Sequence, residues 1–107
     1  MVCVKHKCRS TPKTREYKLR IDGHAVYAPE GQDIVCSAVS VLTQTLANAL
    51  SDTGAYGLKV EMEPGHVYIR CTALMDDMEI YTLFRFAMIG LEMLEEQYPD
   101  HVNIISD

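Results

Sequence analysis

The stretch from residue 23 to residue 42 constrains the fold most, because it joins an interrupted loop directly to an apolar helix. Its first half contains Gly23, Pro29 and Gly31, which are residues that break regular structure. Beyond Asp33, small and apolar residues recur at helical spacing. A carboxylate at this junction can accept hydrogen bonds from the free N–H groups of the first helical turn. The sequence therefore predicts a loop followed by a helix that begins after Asp33.

This junction places Cys36 in the first turn of the helix and His24 in the loop before it. Unpaired N–H groups and the helix dipole favour negative charge at a helix start, so a thiolate is stabilised there. An imidazole across the loop can take the thiol proton and return it later. The first-turn N–H groups can also hold an oxyanion. The structural alternative is that Cys36 is a small buried hydrophobic residue, the more frequent role of a free cysteine.

Two short segments carry a family resemblance, GHA at residues 23–25 and CSAVS at residues 36–40. Together they closely resemble the ribosomal-processing cysteine protease family, Prp. In that family the GHA segment contains the catalytic histidine and the helix start contains the catalytic cysteine. Weaker similarity continues through Gly90 and Tyr98 towards the end, so the resemblance covers nearly the whole chain.

The resemblance assigns roles to residues of the loop and the helix. It implies that Cys36 attacks a scissile carbonyl and that His24 accepts a proton and then delivers it to the leaving amine. Asp33 caps the helix and can orient His24, and Ser40 supports the environment of the sulfur. Tyr27 is either a substrate-pocket aromatic or an anchor for the loop. The loop residues expected to meet substrate are Gly23, Ala25, Tyr27 and Gly31.

Two functions from different classes remain compatible with these residues. The resemblance implies a cysteine endopeptidase that removes a short N-terminal extension from a large-subunit ribosomal protein, or that cleaves a phage capsid or scaffold protein. It also implies a homodimer, and a loop at residues 23–32 that moves to admit the peptide. The alternative is a non-catalytic ribosome- or assembly-binding module in which Cys36 is structural. Fast alkylation of Cys36 near neutral pH distinguishes the first function from the second.

Length and composition predict one domain, residues 1–107, in the cytoplasm. The 107 residues suffice for one modest core. The first residues lack the apolar segment of a secretory signal, and the longest apolar runs are too short to span a bilayer. The four cysteines are expected to be reduced thiols. No cofactor is expected, because no nucleotide-binding glycine motif is present. No metal site is expected either, because strand alternation separates Cys3 from His6 and Cys8.

The charge is unevenly distributed along a chain whose net charge is -5. Residues 1–20 contain seven of the ten lysines and arginines, whereas residues 76–107 contain eight acidic residues and Arg85. A basic segment of this kind can bind nucleic acid. Here the basic residues alternate with apolar ones, which favours the solvated face of a hairpin. We therefore expect no direct nucleic-acid binding.

The apolar periodicity predicts the order ββαββαβ. Alternation of apolar residues predicts five strands, at residues 2–8, 17–21, 58–62, 67–73 and 102–105. Helical spacing predicts one helix from Asp33 to about Ser51, and a second that begins at Asp76 or Asp77 and ends near Tyr98. This order predicts an α+β fold, with two layers and two helices on one face of a mostly antiparallel sheet. The register of the first hairpin stays open.

The second helix carries two apolar stripes. The core stripe consists of Ile80, Leu83, Phe84, Ala87, Leu91 and Leu94. The second stripe consists of Phe86, Ile89, Gly90 and Met93. A two-layer domain offers this second stripe no obvious partner, which predicts a homodimer in which Gly90 permits close approach of another backbone. The alternative is that the second stripe packs against the first helix.

Overall fold

The computed structural model describes residues 1–29 and 31–105 of the chain. Its elements are β1 (Val2–Ser10), β2 (Thr14–Asp22), α1 (Ile34–Asp52), β3 (Tyr56–Glu63), β4 (His66–Leu74), α2 (Met78–Gln97) and β5 (Val102–Ile105). The predicted order ββαββαβ is confirmed. Residues 106–107 of the predicted domain (1–107) lie outside the described residues. So does residue 30 of the predicted loop (23–32).

The five strands form one sheet in the order β3-β4-β2-β1-β5. Neighbouring strands are antiparallel, except that β1 and β5 run parallel. Alternate strand residues, among them Val4, Leu19 and Ile69, are buried in one cluster with the apolar residues of α1 and α2. Both helices therefore cover the same face of the sheet, which confirms the predicted α+β fold.

Both hairpins follow from local turn chemistry. Residues 11–13 connect β1 to β2, and Cys3 pairs with Asp22 at the far end, which defines the register of this hairpin. The second hairpin turns at Pro64 and Gly65, and Gly65 has a φ of +74°. Proline followed by a glycine with positive φ is the pattern of a type II turn. The predicted strands at 58–62 and 67–73 are thus joined in a second hairpin.

The first helix is defined at both ends by capping residues. Asp33 accepts hydrogen bonds at its start, as the sequence predicts. At its end Gly54 adopts a φ of +70°, and the N–H of Ala55 donates to the carbonyl of Leu50. These bonds satisfy carbonyls that the last turn would otherwise leave unpaired. Between the caps, the buried apolar positions face the sheet.

By length and composition alone, the 19-residue helix α1 is also apolar enough to cross a membrane, with a mean hydropathy of 1.4 over an 18-residue window. The core helix of a folded domain meets the same criterion. Here Val35, Leu46 and Leu50 of α1 are buried in the core cluster with the sheet. The contacts of α1 in this structure are therefore those of a core helix.

The second helix, α2, begins after the cap residue Asp77 and presents its core stripe to the sheet. The second stripe divides between two environments. Phe86, Ile89 and Met93 are exposed, whereas a Cβ at Gly90 would lie 2.6 Å from Cδ2 of Leu42 in α1. The expectation that Gly90 admits another subunit's backbone is therefore wrong. Gly90 instead permits close packing between α1 and α2.

Replacing Gly90 tests this packing. We expect Gly90→Val to lower the free energy of unfolding by about 1–3 kcal/mol, because the added atoms enter the space of the Leu42 side chain. The exposed Thr82→Val on α2 is the control and should change stability by less than about 0.5 kcal/mol. Urea denaturation measures both. Equal stability of the two variants would contradict the close approach of the helices.

Candidate active site

A groove of about 820 Å³ lies between the start of α1 and the turn of the second hairpin. The structure brings six of the predicted site residues to its walls, namely Gly23, His24, Gly31, Asp33, Cys36 and Ser40. The opposite wall is formed by Pro64, Gly65 and His66, which the sequence analysis did not assign to the site.

The carboxylate of Asp33 joins the helix to the loop. Its Oδ1 accepts hydrogen bonds of 3.0 Å from the N–H groups of both Val35 and Cys36. Its Oδ2 accepts bonds from the N–H groups of Tyr27, at 2.9 Å, and Ala28, at 3.4 Å. The residue is only 7% exposed. These backbone donors, the N–H of Cys36 foremost, lower the pKa of the carboxyl group, so Asp33 is charged at neutral pH.

The role of Asp33 differs in part from the one expected. The predicted helix cap is confirmed. Among the described residues, however, no hydrogen bond joins Asp33 to the side chain of His24. The second carboxylate oxygen holds the backbone of the loop instead, at Tyr27 and Ala28. Asp33 therefore acts on the position of the loop as a whole.

The thiol of Cys36 faces the loop. Its Sγ accepts a hydrogen bond of 3.2 Å from the N–H of Ala25, a buried residue next to His24. The N–H groups of Val35 and Cys36 are bonded to the Asp33 side chain, and that of Ser37 is bonded to the Asp33 carbonyl. These first-turn groups are therefore not free for an oxyanion, contrary to the expectation from the sequence. The Ala25 N–H is the donor already directed at the sulfur.

The imidazole of His24 lies against the turn of the second hairpin. A Cβ at Gly65 would be 2.7 Å from its Nε2 and 3.2 Å from its Cε1. The N–H of Gly23 donates to the Gly65 carbonyl at 2.9 Å, which holds the two segments together. The amino group of Met1 donates to the His24 carbonyl at 2.6 Å. Glycine at position 65 thus serves the turn and also leaves room for the imidazole.

The end of α2 anchors the loop from the other side. The ring of Tyr27 packs edge-on against the rings of Tyr98 and His101, each with a centroid distance of 5.3 Å. The Nδ1–H of His101 donates to the carbonyl of Ala25 at 2.8 Å. This placement favours the anchoring role of Tyr27 over a role in the substrate pocket. The sequence contained no signal for His101, because its contact with Ala25 spans 76 positions.

One residue of the loop has an unfavourable backbone conformation. Val26 has a φ of +54°, and its side chain is 74% exposed on the groove. A β-branched residue rarely adopts positive φ, and such strain concentrates at functional sites. The surrounding bonds of Ala25, Tyr27 and Ala28 hold Val26 in this conformation.

The other cysteines lack this environment. Cys71 is buried in the core, where desolvation raises the pKa of its thiol to about 11. Cys71 is therefore a core residue. Within residues 1–29 and 31–105, no three His, Cys, Asp or Glu side chains form a group that could hold a metal ion.

Comparison with known proteins identifies the family. Residues 1–103 match the family model described as cysteine protease Prp. The chain belongs to this family of cysteine proteases. A ribosomal processing cysteine protease Prp of Staphylococcus aureus is 26% identical over 86 residues, which cover 78% of this chain and 80% of the relative.

Solved structures of other proteins show the same fold. The Staphylococcus aureus Prp in complex with a covalently linked product peptide matches with a TM-score of 0.81 at 22% identity, over 97% of both chains. The protein SMU.848 of Streptococcus mutans matches with a TM-score of 0.70 at 27% identity, over 97% of this chain and 91% of that chain.

Substitution of Asp33 tests its double role. We expect Asp33→Ala to lower the melting temperature by roughly 4–8 °C, since the helix cap is lost. Asp33→Asn should restore only part of this loss. Its single amide oxygen can accept the bonds of the helix, but the NH2 group that takes the place of Oδ2 is a donor and cannot accept the bonds of Tyr27 and Ala28. Thermal denaturation followed by circular dichroism measures both. An unchanged melting temperature for Asp33→Ala would mean that α1 does not depend on this cap.

The stabilising contribution of Asp33 depends on pH. The pKa of Asp33 is lowered in the folded protein, so its stabilising contribution is present above the unfolded pKa of about 3.9 and lost as the pH falls through the folded value. The difference in melting temperature between the wild type and Asp33→Asn should therefore shrink in acid.

Proposed function

We propose that this Prp-family protein is an endopeptidase in which Cys36 is the nucleophile and His24 the general base. Its substrate is the N-terminal extension of a large-subunit ribosomal protein in the cytoplasm, or alternatively a phage capsid or scaffold protein. The observation that carries the proposal is the placement of Cys36 and His24 on one groove, with the Ala25 N–H directed at the sulfur.

The reaction is acyl transfer through a thioester. The sulfur of Cys36 attacks the scissile carbonyl while His24 accepts the thiol proton. The tetrahedral intermediate collapses when His24 gives this proton to the leaving amine, and water then hydrolyses the thioester. The Ala25 N–H can stabilise the oxyanion, because it already points at the sulfur from the loop.

The groove is suited to a peptide in extended conformation. Its lining includes apolar side chains from the loop, α1 and β4, namely Val26, Val39, Val41 and Val67. Ser37 and Ser40 on α1 are small enough to let a peptide backbone approach the sulfur. The expected movement of the loop would bring Val26 out of its strained conformation as the peptide enters.

Cleavage of an extended ribosomal protein tests the proposal. After incubation with the candidate substrate, intact-mass measurement should show loss of the extension with the wild type and no loss with Cys36→Ala or His24→Ala. Cys8→Ala, which removes an exposed thiol elsewhere, is the control and should remain active. Cleavage by Cys36→Ala would refute the assignment of the nucleophile.

The alternative, a non-catalytic module, is tested on the same variants by alkylation. In the proposed enzyme Cys36 is alkylated fast near neutral pH, and His24→Ala slows this reaction because no imidazole is then present to accept the thiol proton. If Cys36 is alkylated slowly, and at the same rate in the wild type and in His24→Ala, the structural role is favoured.

We further propose a homodimer through the exposed part of α2. Phe86, Ile89 and Met93 are 71%, 42% and 53% exposed and lie at helical spacing on one face. An apolar patch of this kind is typical of an interface, and isologous pairing is the commonest way to cover it. Gly90 is not part of this surface, since it packs on Leu42.

Sedimentation tests the dimer. The wild type should sediment as a dimer at micromolar concentration, and Phe86→Glu with Met93→Glu should convert it to a monomer. Tyr56→Glu, a charge at an exposed aromatic on β3, is the control and should leave the dimer intact. A wild type that sediments as a monomer would refute the dimer, and a dimer that survives both charges would place its interface elsewhere.

A further inference from the structure

A charged cluster lies beside the turn that supports His24. The Nδ1 of His66 is 2.8 Å from Oδ1 of Asp22, and its Nε2 is 3.2 Å from Oε2 of Glu61. The side chain of His66 is 26% exposed. One imidazole therefore bridges β2 and β3 at the first residue of β4.

The carboxylates of Asp22 and Glu61 each contact a basic side chain in addition to His66. Arg20 contacts Asp22 at 3.0 Å, and Lys59 contacts Glu61 at 3.5 Å. The bonds to Asp22 and Glu61 nevertheless raise the pKa of His66, with Asp22 contributing most. On the neighbouring strands, Asp22 and Glu61 contact the imidazole, Glu63 pairs with His66 in the sheet, and Arg20 and Lys59 contact the two carboxylates.

This cluster is connected to His24 through the backbone. Asp22 and His66 flank a pair of glycines, Gly23 and Gly65, which are themselves joined by the bond from the Gly23 N–H to the Gly65 carbonyl. His24 follows Gly23 and rests its ring on Gly65. The side-chain bond and the backbone bond thus hold the segment that carries His24 against the turn on which its ring lies.

We propose that His66, held by Asp22, is a positioning residue that keeps the turn at Gly65 in place beneath the imidazole of His24. This inference rests on the proposed function, in which His24 is the general base. A base must lie within hydrogen-bonding reach of the proton that it accepts, and a displacement of about 1 Å can lower the rate about 100-fold. His66 itself does not touch the substrate in this role.

The arrangement has a definite pH dependence. Protonated His66 donates to both Asp22 and Glu61, whereas the neutral ring has a single donor. The pKa of His66 is raised in the folded protein, so its contribution is complete below the unfolded pKa of about 6.5 and is lost as the pH rises through the folded value. We therefore expect the support of His24 to loosen on the alkaline side.

The test compares two ion pairs on the same pair of strands. His66→Gln and Asp22→Asn break the pair near His24. Glu16→Gln breaks the Glu16–Arg70 pair, whose atoms are 2.6 Å apart on β2 and β4 and make no contact with His24. We expect kcat for peptide cleavage to fall about 10- to 100-fold in the first two variants with little change in KM. The Glu16→Gln control should retain wild-type kcat.

Two further readouts distinguish positioning from general destabilisation. The nuclear Overhauser effect between the His24 ring and the Gly65 Hα protons should weaken in His66→Gln and persist in Glu16→Gln. It should also weaken in the wild type when the pH is raised through the pKa of His66. The decline in kcat at alkaline pH that results from deprotonation of His66 should be absent from His66→Gln.

The outcomes separate this inference from the proposed function. Equal kcat in His66→Gln and Glu16→Gln, or an unchanged Overhauser effect in His66→Gln, would overturn the positioning role. Cleavage that persists in His24→Ala would overturn the role of His24 as base, whatever the Overhauser effect shows. The Overhauser effect needs no substrate, so it tests the placement of His24 even if the ribosomal peptide is not cleaved.

Discussion

The site depends on one buried carboxylate that accepts four backbone hydrogen bonds, two from the helix and two from the loop. Through the first pair Asp33 determines where α1 begins, and so where Cys36 stands. Through the second pair it determines the path of the loop that carries His24 and Ala25. The helix start that carries Cys36 and the loop that carries His24 are thereby joined through a single side chain.

Much of the fold follows from signals between near neighbours in the sequence. The cap at Asp33, the turn at Pro64 and Gly65, and the end of α1 at Gly54 each depend on a few residues. Periodicity likewise predicted both helices to within one or two residues of their observed bounds. These features can be predicted because the residues that determine each of them lie within one short segment of the sequence.

The remaining features depend on partners that sequence spacing does not reveal. The pairing of β2 with β4 brings Gly65 and His66 to the loop, and alternation alone does not specify which strands become neighbours. Gly90 is a second example. From the sequence alone, a glycine on an apolar helix face is equally compatible with packing against another subunit and with packing against α1. Only the observed approach of Leu42 decides between them.

The anchoring of Ala25 by His101 has a consequence for biosynthesis. This hydrogen bond spans 76 positions, and the adjoining β5 enters the sheet beside β1 as the final strand. Contacts of such sequence separation form only when both partners have been made. While a ribosome is still translating residues 101–105, the loop that faces Cys36 lacks one of its supports. The contacts that complete the groove therefore form only after these residues have been made.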